Sequence, residues 1–165
     1  DSLDPLDSTA CKWSCAELEF MHRGLTVIDN FFRADALEEL WTYVLEAPCF
    51  RTLRPGYLGA FPADGCTHPL LRRSAEELER RFPQALAGRP LARWWLFKYS
   101  AASPNGIGLH ADDAAMNVNV WLTPDAARRS GGGLKIHRRS PRLGATVVDF
   151  NSVPPAGAAV YSCGG

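Results

Sequence analysis

Apolar residues at helical spacing predict two amphipathic helices in the first half of the chain. One runs from Ala34 to Ala47, where the apolar positions recur at i, i+3, i+4, i+7 and i+8: Leu37, Leu40, Trp41, Val44 and Leu45. The other runs from Leu70 to Phe82, with Arg and Glu side chains largely on its opposite face. Pro48 ends the first helix, and Gly88-Arg89-Pro90 breaks the pattern after the second.

The pattern changes after residue 90, where short apolar runs alternate with Pro, Gly and Asn turns. Such runs predict strands over the following segments: Ala92–Ser100, Ile107–Asp112, Met116–Leu122, Leu134–His137 and Ala145–Phe150. Short strands at this spacing are typical of a sandwich or barrel. Because helices precede them, we predict an α+β fold with N-terminal helices packed on the outside of a jelly roll.

Chain length and composition fit one globular domain. The chain has 165 residues, of which 46% are hydrophobic and 10% aromatic, and a chain of this size buries roughly 70% of its unfolded surface. We predict a single domain over residues 1–165, consisting of an irregular lead at 1–23, a strand and helices at 24–90, and jelly-roll strands at 91–165. Within the middle part, Leu25–Ile28 and part of Phe50–Phe61 are predicted to be strands.

Charge and cysteine content exclude several classes of protein. The net charge is zero at pH 7, which argues against nucleic acid or an acidic membrane as the partner. Five scattered cysteines predict reduced thiols. With neither a signal peptide nor a membrane-length apolar run, we expect an intracellular, cytoplasmic protein. Because the first residue is Asp, we also expect the chain to be part of a longer protein with further domains.

His110 and Asp112 stand two residues apart among the predicted strands. In a strand, residues i and i+2 point to the same face, so an imidazole nitrogen and a carboxylate oxygen can converge. They would supply two ligands of a 2-His-1-carboxylate site, which leaves open positions on non-heme Fe(II). The pair alone is a weak signal, since a surface histidine near a turn aspartate arises by chance. Its position after the turn Ser103–Gly106 and before an apolar strand favours a metal site.

The residues around this pair resemble the metal-binding core of the Fe(II)/2-oxoglutarate-dependent oxygenases. The resembling stretch is GIGLHADDAAMNVNVWLTPDAARRSGGGL, in which the HAD pair is followed by an Asn-rich strand, WLTPD and a Gly-Gly-Leu turn. The similarity continues upstream through Val27–Phe32, Gly56–Ala60 and Trp95–Tyr99, and covers about four fifths of the chain. It implies a cupin-like double-stranded β-helix and a hydroxylase. Iron would be bound by His110, Asp112 and a later histidine, and 2-oxoglutarate would chelate the iron.

Two further residues are candidates for binding the co-substrate. The resemblance implies that Tyr99 reaches 2-oxoglutarate through its phenol, although plain core packing is the alternative. Asn117, Asn119 and Trp121 share one face of the next predicted strand. Either that face meets solvent, or it is covered and its amides line a pocket, in which case Asn119 is the better candidate to bind substrate or 2-oxoglutarate.

The resemblance leaves the third iron ligand and the basic partner of 2-oxoglutarate unassigned. Both are expected after Gly165, so the chain is predicted to stop before the last jelly-roll strands. His137 is the only later histidine in the sequence, but Arg138 and Arg139 beside it favour a solvent-facing edge. Two alternatives stay open: a non-catalytic, truncated or degenerate jelly-roll binding module, and a cupin-like enzyme that recruits His137. The sequence does not indicate whether the substrate is a small molecule or a peptide.

Overall fold

The structure is a computed structural model that describes residues 4–100, 108–127, 134–137, 142–153 and 161–162. Its helices are α1 Ala10–Arg23, α2 Ala34–Glu46, α3 Pro69–Arg81 and α4 Val147–Asn151. Its strands are β1 Thr52–Arg54, β2 Tyr57–Ala60, β3 Leu96–Tyr99, β4 Lys135–Ile136 and β5 Tyr161–Ser162. Short 3-10 helices occur at Pro62–Asp64 and Asp125–Ala127. The elements are a mixture of α and β.

The chain divides into two compact units. Unit 1 comprises Asp1–Thr52, Gly59–Phe97 and Val120–Leu122, whereas unit 2 comprises Leu53–Leu58, Lys98–Asn119 and Thr123–Gly165. Three helices and the buried apolar clusters belong to unit 1. His110, Asp112 and α4 belong to unit 2. Whether the two units form the single domain predicted over residues 1–165 is not tested by this division, so the single domain stays a prediction.

The two predicted amphipathic helices are confirmed as α2 and α3, within one residue at each end. Leu40 of α2 is fully buried in a cluster with Ala36 and with Leu70 of α3. Removing a leucine side chain of this kind from water contributes about 1.5–3 kcal/mol. The apolar stripe read from the sequence is therefore the surface through which these helices form the core of unit 1.

The prediction of an irregular lead over residues 1–23 is wrong, because residues 10–23 form α1. The helix ends at Gly24, whose φ of 72° is the left-handed conformation that favours glycine. Trp13 is buried and donates a hydrogen bond from Nε1 to the Asp7 carbonyl oxygen at 2.7 Å. The Arg81 guanidinium of α3 lies 4.7 Å from the Trp13 ring centroid. Packing against α3 thus stabilises a helix whose sequence signal is weak.

Buried charges connect α3 to its neighbours in unit 1. Arg81 donates hydrogen bonds to the carboxylates of Asp4 and Glu77 and to the Asp7 carbonyl oxygen. Burial acts to raise the pKa of Glu77, but hydrogen bonds from Arg81 and Arg80 outweigh it, and the pKa is lowered. Glu77 therefore accepts these hydrogen bonds as a carboxylate, and the bonds from Arg81 to Asp4 and Asp7 fix the N-terminal segment on α3.

The first three strands form a small antiparallel sheet in the order β1-β2-β3. Pro55 and Gly56 join β1 to β2, and Gly56 has a φ of 89°. A type II turn requires such a positive φ at its third residue and favours Pro before it. These strands confirm the extended segments predicted within Phe50–Phe61 and Ala92–Ser100, although each is shorter than predicted.

Several predicted strands are absent from the parts of the chain that the structure describes. Leu25–Ile28 is irregular, as are residues 108–112 and 116–122. The strand predicted over Ala145–Phe150 is wrong, because a capping box of Thr146 and Asp149 begins α4 there. Leu134–His137 contains the short strand β4, which pairs antiparallel with β5. The jelly roll itself stays a prediction.

Two buried thiols and a phenol form a cluster in unit 1. Cys49 and Cys66 are 3% and 0% exposed, and the Tyr43 hydroxyl lies 3.7 Å from the Cys49 sulfur. Burial raises the pKa of the Cys66 thiol to about 11, and the neighbouring Cys49 adds to the shift. Cys66 is therefore a neutral, unreactive thiol at neutral pH.

We expect Leu40→Ala to lower the free energy of unfolding by about 2–5 kcal/mol, because it leaves a cavity in the core. Leu45→Ala is the matched control on the same helix, where the side chain is 58% exposed, and its effect should stay within about 0.5 kcal/mol. Denaturant unfolding followed by circular dichroism measures both. Equal effects of the two variants would contradict the assignment of the buried face of α2.

Alkylation of the folded protein should separate the cysteines by environment. At pH 8, iodoacetamide is expected to modify exposed Cys11 and Cys15 quickly and Cys66 at least about 100-fold more slowly, because little thiolate forms at Cys66. Mass spectrometry of peptides gives the rate at each site, and the denatured protein serves as the control. Similar rates in the folded protein would show that Cys66 is accessible and ionised.

Candidate functional site

His110 lies in an irregular segment of unit 2, and its ring is oriented by a local hydrogen bond. Nδ1 is 2.7 Å from the carbonyl oxygen of Gly108. Because a carbonyl oxygen can only accept, Nδ1 must carry the hydrogen in this contact. In the neutral imidazole, Nε2 then keeps its lone pair. Histidines that bind metals commonly hold their second nitrogen in this way, which fixes the tautomer.

Asp112 places one oxygen near His110 and the other near an amide. Its Oδ1 lies 3.6 Å from Nε2 of His110, and its Oδ2 accepts a hydrogen bond from Nδ2 of Asn117 at 3.1 Å. The contact with Asn117 orients the carboxylate so that Oδ1 faces the imidazole. The structure thus brings together the two residues that the sequence predicts as metal ligands, although the backbone between them is not a strand.

The separation of the two donor atoms fits a shared metal ion. Nitrogen and oxygen ligands lie about 2.0–2.2 Å from a metal such as zinc, so two that share one ion are about 3 Å apart at a right angle and at most about 4.4 Å apart on opposite sides of it. The 3.6 Å between Nε2 of His110 and Oδ1 of Asp112 lies inside that limit. A neutral imidazole and a carboxylate are also the donors that the facial arrangement of non-heme Fe(II) uses. The donor types of these two residues therefore fit iron, and the two atoms would have to move about 0.6 Å closer to bind it at a right angle.

Asn151 bonds the backbone of Ala111, the residue that separates the two candidate ligands. Its Oδ1 accepts from the Ala111 amide at 2.7 Å, and its Nδ2 donates to the Ala111 carbonyl oxygen at 2.9 Å. Asn151 is the last residue of α4, a helix that begins with the capping box of Thr146 and Asp149. The pKa of Asp149 is lowered by two hydrogen bonds from Thr146, of which the side-chain bond has the larger effect and the backbone bond the smaller. Asp149 therefore caps the N-terminus of α4 as a carboxylate.

The other two predicted site residues have less defined surroundings. Tyr99 is 58% exposed, and its ring lies 5.8 Å from that of Tyr57. Desolvation raises the pKa of Tyr99, and Tyr57 adds to the shift, so the phenol is neutral at pH 7. Asn119 is exposed and makes no side-chain hydrogen bond to a residue that the structure describes. Asn117, the less favoured amide in the sequence, is the one that contacts Asp112.

His137 differs from the solvent-facing edge that its arginine neighbours predict. The side chain is half-buried, and its Nδ1 is shielded from water, with no hydrogen-bond partner among the described residues. Across those same residues, no three His, Cys, Asp or Glu side chains stand close enough together to hold a metal. The described residues therefore do not supply the third iron ligand that the oxygenase resemblance implies.

The candidate site is open to solvent. The side chains of His110 and Asp112 are 45% and 31% exposed. Two larger depressions, of about 440 and 530 Å³, lie in unit 1 beside α2 and share Tyr43 and Glu46 in their walls. Neither is lined by His110 or Asp112. His110 and Asp112 are therefore surface residues within the described part of unit 2.

The chain matches no protein-family model, no curated protein and no solved structure. The resemblance to the oxygenases thus depends on the motif residues themselves. None of the helices in the described parts of the chain has the length and apolar character that a membrane span requires.

Two contacts of the site are not predicted from the sequence: that of Asn117 with Asp112, and that of Asn151 with the Ala111 backbone. Asn117 stands five residues after Asp112, and in a strand two residues at that spacing point to opposite faces. The signal for Asn151 is indirect: Thr146-Val147-Val148-Asp149 has the Thr-x-x-Asp spacing of a capping box. That motif predicts a short helix, but not which backbone its last residue contacts.

The tautomer of His110 can be measured without any metal. We expect the neutral ring to carry its hydrogen on Nδ1, because the Gly108 carbonyl oxygen accepts it. Long-range 15N–1H NMR correlation of the imidazole distinguishes the two tautomers, with exposed His22 as an unconstrained reference. A hydrogen on Nε2 of His110 would contradict the geometry of the site.

Proposed function

We propose that the protein is an Fe(II)- and 2-oxoglutarate-dependent dioxygenase that hydroxylates its substrate. The observation that carries this proposal is the 3.6 Å approach of Nε2 of His110 to Oδ1 of Asp112, with Nδ1 engaged by the Gly108 carbonyl oxygen. Neither donor atom makes a hydrogen bond to another residue among those that the structure describes. The oxygenase-like motif around the pair adds a second line of support.

In this proposal, each residue of the site has a separate role in metal binding. His110 would hold the metal through Nε2 of its neutral imidazole, and Asp112 would hold it through Oδ1 of its carboxylate. Asn117 holds Oδ2, so the carboxylate does not rotate away from the ion. The third protein ligand comes from residues outside those that the structure describes. Iron with bound 2-oxoglutarate supplies oxidation of the substrate by dioxygen, coupled to decarboxylation of 2-oxoglutarate to succinate.

Tyr99 and Asn119 are proposed to bind 2-oxoglutarate or substrate. A raised pKa keeps the Tyr99 hydroxyl protonated at neutral pH, so it can donate a hydrogen bond to a carboxylate. The exposed amide of Asn119 can both donate and accept. The substrate is a small molecule or a peptidyl side chain that can approach an open site. Neither nucleic acid nor a membrane is proposed as a partner, since the net charge is zero.

An intracellular, cytoplasmic location is proposed from the thiols. Cys11, Cys15, Cys49 and Cys66 are all free. Cysteines in a chain of this size stay reduced in the cytosol, whereas oxidising compartments favour disulfides. The two buried thiols also pack as small apolar groups in the core of unit 1.

A second function, a jelly-roll binding module without turnover, is favoured by the exposure of the pair. Oxygenase chemistry benefits from a closed site that excludes water, whereas the side chain of His110 is 45% exposed. In this second function, Nε2 of His110 and Oδ1 of Asp112 form an ion pair when the imidazole is protonated. The two functions differ in one measurable property, namely iron-dependent binding of 2-oxoglutarate.

Anaerobic addition of Fe(II) and 2-oxoglutarate to the full-length protein is expected to give a metal-to-ligand charge-transfer band. The band should vanish in His110→Ala and in Asp112→Ala, because each loses a ligand atom. It should also weaken as pH falls, because protons compete with iron for Nε2 of His110. His22→Ala, which removes an exposed histidine at the end of α1, should leave the band unchanged.

The same spectra separate the alternatives. A wild-type protein with no band, and with its fold intact by circular dichroism, would rule out the oxygenase and leave the binding module. A band that persists in His110→Ala but disappears in His137→Ala would assign the metal to a different ligand set. Succinate released with dioxygen present would establish turnover.

A further inference from the structure

Asn151 makes the only pair of side-chain hydrogen bonds, among the described residues, to the backbone between His110 and Asp112. Its amide oxygen accepts from the Ala111 amide at 2.7 Å, and its amide nitrogen donates to the Ala111 carbonyl oxygen at 2.9 Å. Both polar groups of one residue's backbone are thus satisfied by one side chain. Two parallel bonds to one residue restrict rotation on either side of it, which a single bond would not do.

This contact compensates for the absence of a strand at the site. Residues 108–112 belong to no strand in the structure, so no ladder of backbone hydrogen bonds fixes the φ and ψ angles of Ala111. Those angles determine how far apart the side chains of His110 and Asp112 lie. Asn151 bonds the Ala111 backbone as a neighbouring strand would, and it does so across 40 residues of sequence.

The helix that carries Asn151 is fixed at its opposite end. Thr146 Oγ1 accepts from the Asp149 amide at 3.1 Å, and the Asp149 carboxylate accepts from the Thr146 amide at 3.0 Å. A five-residue helix is too short to be stable from its own backbone bonds. The capping box therefore gives α4 the order that Asn151 needs to reach Ala111.

We propose that Asn151 is a positioning residue, which sets the separation of Nε2 of His110 and Oδ1 of Asp112 by holding the Ala111 backbone. The inference rests on the proposed function, since it assigns Asn151 a role in metal binding by that site. Asn151 does not contact the metal. Removing a group that hydrogen-bonds to a metal ligand and orients it typically weakens metal binding about 10–100-fold.

The test compares Asn151→Ala with a matched control at the next residue. Ser152 follows α4 as its C-cap residue and makes one exposed side-chain hydrogen bond, to the Asp149 carbonyl oxygen at 2.8 Å, and no hydrogen bond joins it to Ala111 among the described residues. Co(II) binding to the full-length protein, followed by visible absorption, should be at least about tenfold weaker in Asn151→Ala. Ser152→Ala should bind Co(II) as the wild type does.

A second readout needs no metal. Hydrogen exchange of the Ala111 amide, measured by NMR in the metal-free protein, should be faster in Asn151→Ala than in the wild type and in Ser152→Ala. Asn151→Asp keeps an acceptor for that amide and loses the donor to the carbonyl oxygen. It should therefore retain protection of the Ala111 amide and give an intermediate affinity for Co(II).

The outcomes distinguish the inference from the function on which it rests. Equal Co(II) affinity in Asn151→Ala and wild type, with strong binding in both, overturns the positioning role and leaves the oxygenase proposal intact. A wild-type protein that binds no Co(II) overturns the proposed function and with it the metal-linked role of Asn151. Unchanged exchange at Ala111 in Asn151→Ala overturns the backbone contact itself. Weaker binding together with faster exchange supports the inference.

Discussion

The hydrogen bond between Nδ1 of His110 and the Gly108 carbonyl oxygen is the constraint on which the candidate site depends. At 2.7 Å, it decides which imidazole nitrogen keeps a lone pair and which direction that lone pair faces. Asp112 then meets Nε2 because its second oxygen is held by Asn117. If the hydrogen were on Nε2 instead, His110 would present an N–H to the carboxylate, and that nitrogen would have no lone pair for a metal.

Side chains, rather than strand pairing, order the backbone of this site. The segment around His110 is irregular, and its contacts come from amide side chains at Asn117 and Asn151. Unit 1 is organised differently, by apolar burial around Leu40 and by the buried charges of Glu77 and Arg81. Exposed hydrogen bonds are each worth about 1 kcal/mol, so the site is more easily rearranged than a core.

The sequence predicts those elements whose burial follows a regular period. The boundaries of α2 and α3 follow from apolar residues at helical spacing, because one face of each helix is buried. The sequence also predicts that His110 and Asp112 lie close together, although it predicts a strand between them. An i, i+2 relation in a strand was expected, whereas the two side chains meet in an irregular segment.

The remaining features depend on contacts between residues that are distant in sequence. Residues 10–23 become helical because Trp13 is buried and contacts Arg81, which lies far along the chain. Residues 145–150 contain apolar positions that suit a strand, yet the capping box that begins at Thr146 stabilises a helix there. The amide of Asn151 meets Ala111 across 40 residues. No local pattern encodes such a contact, so the support for the site could not be read from the sequence.

The central claim is that His110 and Asp112 bind one metal ion through Nε2 and Oδ1. A crystal of the full-length protein grown anaerobically with Fe(II) and 2-oxoglutarate tests it directly, through anomalous density at the iron edge. The account predicts iron about 2.0–2.2 Å from both atoms, with Nδ1 of His110 still bonded to the Gly108 carbonyl oxygen. Iron bound elsewhere in the protein, or bound through Nδ1 of His110, would contradict it.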